Sequence, residues 1–118
     1  MSISSGQNEV NRLQKALADL NKNLADESKK EAAKTNDINR IERSITRSTS
    51  VSILNSKQQQ IIRNKNDISK IQKNITDISK KFSDTKTKLY KAEEQLAKEE
   101  EKERNKLYAA NESVNVNN

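Results

Sequence analysis

The chain has 118 residues, 34% charged and 31% hydrophobic, with 23 Lys and Arg against 17 Asp and Glu for a net charge of +6. It contains no His, Cys, Pro or Trp and a single Gly, which excludes an imidazole base, a thiolate nucleophile, the usual zinc ligand sets and a glycine-rich phosphate loop. No catalytic residue, cofactor or metal is therefore expected, and the missing turn residues exclude a β-sandwich or barrel.

What remains is long helix or a disordered chain, since low hydrophobicity with surplus charge fits both. Periodicity decides between them. In the first element, residues 1–47, alternate steps of three and four from Ile3 meet Gly6, Val10, Leu13, Leu17, Leu20, Leu24, Glu27, Glu31, Lys34, Ile38, Ile41 and Ile45. In the second, residues 53–110, the same steps from Leu54 meet Lys57, Ile61, Asn64, Ile68, Ile71, Ile75, Ile78, Phe82, Thr85, Leu89, Ala92 and Leu96. These 26 rungs hold 18 of the 25 Val, Ile, Leu, Met and Phe residues. A 3.5-residue repeat sustained that long predicts coiled-coil helix.

Between the ladders lies a hydroxyl-rich turn, residues 48–52. Ile45 and Leu54 are nine residues apart, which at about 100° per residue is half a turn out of phase, so one continuous helix would put its two stripes on opposite faces. Ser48, Thr49 and Ser50 compete for backbone hydrogen bonds and can cap a new helix, Ser50 being the expected N-cap. Folding back there predicts an all-α antiparallel coiled-coil hairpin with residue i opposite 99 minus i: Leu24 meets Ile75, Leu17 meets Phe82, and the polar rungs Lys34 and Asn64 coincide. Beyond Leu96 the helix becomes a charged extension, and residues 111–118 lose periodicity and read as a linker or tail.

A lone hairpin buries little, so self-association is expected through Leu13, Leu17, Leu20, Leu24, Ile38, Ile41, Ile45, Leu54, Ile61, Ile68, Ile71, Ile75, Ile78, Phe82, Leu89 and Leu96. Ile at both rung types of the second helix favours bundles over pairs, which points to two hairpins forming a four-helix homodimer. Ala16, Ala18, Ala25, Ala32 and Ala33 would let the second hairpin approach closely. Residues 40–91 carry thirteen basic and four acidic side chains, and Arg40, Arg43, Arg47, Arg63, Lys65, Lys70 and Lys73 are candidate anion-binding residues. With three aromatic residues in the chain, Phe82, Tyr90 and Tyr108, a solvated basic face is the better reading than a nucleic-acid interface.

No apolar run approaches a membrane span and the first residues lack the pattern of a secretory leader, so a cytoplasmic protein is expected. A basic helical protein binding nucleic acid or an anionic surface is the first alternative, and a small secreted helical-hairpin effector the second.

The run Ile41-Glu-Arg-Ser-Ile-Thr-Arg-Ser-Thr-Ser50, followed by Val51-Ser-Ile-Leu-Asn-Ser-Lys57 and Ile61, resembles the N-terminal coiled-coil region of bacterial Toll/interleukin-1-receptor (TIR) domain proteins. The matching positions are Ser44, Ile45, Arg47 in place of Lys, Thr49, Ser50, Ser52, Leu54, Lys57 and Ile61, with Val51 where the family often has Pro. The resemblance implies a regulatory and self-assembly module for an attached or partner effector domain that consumes NAD in bacterial immunity, including antiphage defence, or in virulence. Such chemistry would lie outside these residues, which show no βα alternation.

Overall fold

The computed structural model describes residues 2–117. Helix α1 spans Ile3–Arg43 and helix α2 spans Val51–Asn117, with no strand among the described residues. The two form an antiparallel helical hairpin. Its described residues divide into two compact units: a terminal unit of residues 2–19 and 82–117, and a turn unit of residues 20–81.

Capping fixes the helix starts. The Ser2 hydroxyl accepts from the Ser5 amide at 3.1 Å and the Ser50 hydroxyl from the Ile53 amide at 3.3 Å, each satisfying a donor that the first helical turn leaves orphaned. Ser50 is thus the N-cap that its sequence position predicts. The Ser2 cap carries the same signal, a serine three residues before its amide partner.

The turn differs from its expected bounds. α1 stops at Arg43 rather than 47, because the Ser44 hydroxyl takes the Ile41 carbonyl and the Thr46 amide donates to the Thr49 hydroxyl at 2.9 Å instead of to the preceding helical turn. Val51 and Ser52 belong to α2, since a cap at Ser50 makes the next residue helical. The Lys57 ammonium, on a rung of α2, donates to the Ser44 carbonyl at 3.1 Å. A cation there satisfies an acceptor just past the end of α1 and opposes the negative end of its dipole.

The segment from Asn111, expected to lose its regular structure, continues α2 through Asn117. No Pro or Gly is present there to stop it. Asn118 lies outside the described residues.

Each unit is held differently. In the terminal unit Val10, Leu13 and Leu89 are buried, with Leu17, Ala92 and Leu96 packed on them. Gly6 lets the helices close: a Cβ there would sit 3.0 Å from Leu96 Cδ1. In the turn unit Ile38 and Ile71 are the buried apolar residues, and polar bonds cross between helices. Lys34 pairs with Asp67 at 3.1 Å, and the Asn74 amide donates to Glu27 at 3.4 Å.

These contacts correct the register. Lys57 lies opposite Ser44, Asp67 opposite Lys34 and Asn74 opposite Glu27, each two residues further along α2 than 99 minus i. In the terminal unit Leu96 lies opposite Gly6, three residues further. Lys34 therefore meets Asp67 rather than Asn64, and a charge partner one residue before the rung Ile68 of α2 replaces the expected coincidence of two polar rungs.

Candidate self-association surface

All 26 rungs of the two ladders are buried or half-buried. Leu13, Ile38, Ile71 and Leu89 are buried. Leu17, Leu20, Leu24, Ile41, Ile45, Leu54, Ile61, Ile68, Ile75, Ile78, Phe82 and Leu96 are half-buried, Ile45 from the turn rather than from α1. The polar rungs Glu27, Lys34 and Lys57 also stay on the seam, where the first two make bonds that join the two helices and Lys57 ties α2 to the Ser44 carbonyl just past the end of α1. The seam is nevertheless incomplete: the most sheltered core residue, Leu13, is 3% exposed, and no described side chain is fully buried. Two helices cover each rung from one direction only, so most of the sixteen apolar side chains expected to associate keep an open edge.

The flanks of the seam are unequal. Of the 26 residues that immediately precede a rung, fifteen are charged; of the 26 that immediately follow one, four are charged, namely Glu42, Lys65, Lys86 and Glu93. On α1 eleven of the twelve following residues, Ser4, Gln7, Asn11, Gln14, Ala18, Asn21, Ala25, Ser28, Ala32, Thr35 and Asn39, are uncharged and exposed, and the twelfth is Glu42. Residues one step past a rung share one side of a helix, because the rungs themselves repeat every 3.5 residues.

The charged flanks of both helices lie on one side of each unit. In the turn unit Asp37, Arg40 and Ser44 line a groove with Gln60, Arg63 and Asp67, over the rungs Ile41 and Asn64; all six lining residues precede a rung. In the terminal unit the Glu9 carboxyl is held below its usual range by a hydrogen bond from Arg12 and then by the charges of Arg12 and Lys88, against the opposing effect of desolvation. Glu9 and Lys88 also precede rungs. The uncharged flanks are consequently left together on the other side.

The five alanines do not share a face. Ala18, Ala25 and Ala32 lie on the uncharged flank, whereas Ala16 and Ala33 precede rungs and belong to the charged one. Four of the six exposed large hydrophobic residues, Val51, Ile62, Tyr90 and Leu107, follow the uncharged flank of α2 or its continuation in the same heptad phase. Sequence reading misses this surface because its signal is missing charge, which no hydrophobic ladder reveals.

The candidate anion-binding residues scatter. Arg40 is bound to Asp37 at 2.6 Å, and Arg43 donates to the Asn39 carbonyl at 3.3 Å. Arg63 lines the groove beside Asp67. Arg47 is exposed in the turn, Lys65 lies on the uncharged flank, and Lys70 and Lys73 are exposed further along α2. Among the described residues no group of three His, Cys, Asp or Glu side chains could hold a metal ion, and no helix is long and apolar enough to cross a membrane.

No family model, no curated protein and no solved structure matches this chain.

Proposed function

We propose that this chain is a non-catalytic coiled-coil module that self-associates, as a dimer of hairpins forming a four-helix bundle, and presents attached or partner domains as a scaffold. The observation that carries the reading is the unfinished seam: an unbroken series of sheltered rungs that two helices alone leave half-covered. A second hairpin would remove that apolar edge from water, at roughly 25 cal/mol per Å² of apolar surface. The resemblance of residues 44–61 to the region preceding bacterial TIR domains suggests a regulatory role beside an effector domain in immunity or virulence, in the cytoplasm.

Light-scattering mass of the purified chain over a dilution series tests the reading. A species of twice the chain mass is expected, and a mass that stays at one chain refutes it. Ile75→Asp, on a half-buried rung, should lower both mass and helicity, while Lys73→Asp on the exposed surface should leave both unchanged; equal effects would mean that the seam is not what associates.

One observation favours a second reading, binding to nucleic acid or another polyanion: the turn unit carries fourteen basic and seven acidic residues, a net +7. Phosphate contacts weaken steeply with added salt, whereas association through an apolar seam persists.

A further inference from the structure

We infer that the second copy docks on the uncharged side of the turn unit, and that it does so with its own terminal unit, so that the two copies lie with opposite chain directions. This rests on the self-association reading and adds to it a face and a polarity.

The face follows from desolvation. A charge buried at an interface costs far more than a small neutral side chain unless it is paired. On this side of the turn unit the charged residues following rungs are Glu42 and Lys65, although the unit holds 21 charged residues in all. Ala25 and Ala32 allow close approach of a facing backbone, and Ile62, 57% exposed, offers an apolar anchor beside the half-buried rungs. The opposite side of the unit presents Asp37, Arg40, Arg63 and Asp67, whose desolvation would have to be offset pair by pair.

The polarity follows from charge. The turn unit stands at +7, while the terminal unit has nine basic and ten acidic residues, a net −1. Two turn units side by side would set +7 against +7. A turn unit against a terminal unit removes that repulsion and brings the basic residues near the run of Glu99, Glu100, Glu101 and Glu103. Lys65 and Glu93, on the matching flanks of the two units, can then neutralise one another across the interface. Such complementarity selects orientation more than it adds affinity.

The chain has no cysteine, so single-cysteine variants of the full chain can carry spin labels at chosen sites. Arg47→Cys marks the turn and Glu101→Cys the terminal unit, both at exposed positions. Once light scattering has shown a dimer, an equal mixture of the two labelled variants is expected to give short interlabel distances that neither variant gives alone. Short distances within Arg47→Cys alone, or within Glu101→Cys alone, would overturn the polarity. Separately, Ala32→Glu should raise the dimer dissociation constant at least tenfold while Ala33→Glu leaves it unchanged, with helicity of both chains retained. Equal effects, or the larger effect from Ala33→Glu, would overturn the face. A wild-type chain that remains at one chain mass overturns the self-association reading itself, and this inference with it.

Discussion

The terminal unit and the turn unit are built on one repeat but held by different forces. The first packs Val10, Leu13 and Leu89 around a close approach at Gly6 and is almost neutral. The second puts Glu27, Lys34 and Lys57 on its seam, spends them on bonds to Asn74, Asp67 and the Ser44 carbonyl, and carries the whole positive surplus. Packing is strong but repeats along the helix axis, so a slide by a whole heptad finds another set of holes; polar pairs are weak and tied to one partner. A coiled-coil hairpin can thus take its stability from one region and its register from another.

The largest expected effect tests the first half of that contrast. Leu13→Ala, at the most sheltered position, should destabilise the fold by about 3 kcal/mol, and Ile71→Ala in the turn unit by about 2 kcal/mol, from the lost transfer energy and the cavity left behind. Urea unfolding at fixed chain concentration measures both; a larger loss for Ile71→Ala would reverse the assignment of the packed region.

The cap comes next. Removing its hydroxyl as Ser50→Ala should cost about 1 kcal/mol and appear as fraying of the first turn of α2 in amide hydrogen exchange, without change at Leu13. Exchange that rises uniformly along the chain would show that the turn does not set the start of α2.

Lys34→Ala should cost only about 0.5 kcal/mol, since Lys34 and Asp67 are 37% and 43% exposed and such pairs are screened by solvent and salt. Its informative effect is on register. Spin labels across the turn unit should report a broader spread of interhelical distances in Lys34→Ala than in the wild-type chain, and an unchanged spread would remove the polar pair from any part in alignment.

The smallest effect is on the pH dependence of stability. Glu9 titrates below its ordinary value when folded, through Arg12 first and Lys88 second. The sign follows: its contribution is present above the unfolded carboxylate pKa and is lost as pH falls through the lower, folded one. Glu9→Gln should lower stability slightly at neutral pH and leave it almost unchanged at acid pH, below the folded carboxylate range, so that the acid side of the profile flattens, as followed by thermal unfolding; a loss of equal size at acid and neutral pH would contradict the pairing.

Much of this was legible before folding. The apolar ladders, their half-turn phase break and the Ser50 cap are local features, since a helix reads its own sequence through a 3.6-residue period and its own first-turn hydrogen bonds. The earlier end of α1 was not, because Ser44 and Thr46 could equally have stayed helical until the Ser44 hydroxyl and the Thr49 side chain took the competing bonds. Nor was the candidate surface complete. Its rungs were visible as a pattern of presence, whereas the uncharged flank became a surface only when Asp37 and Arg40 were found facing Arg63 and Asp67 across one groove.

Helicity, the two seams and the need to fold back between them are written in the chain, because spacing and capping act within a few residues of each position. The two-residue slide of α2, the partner of each polar rung and the side on which both charged flanks meet come from the packing of α1 against α2. Sliding or rotating one helix against the other leaves every local pattern intact, so the choice falls to contacts between residues far apart in the chain.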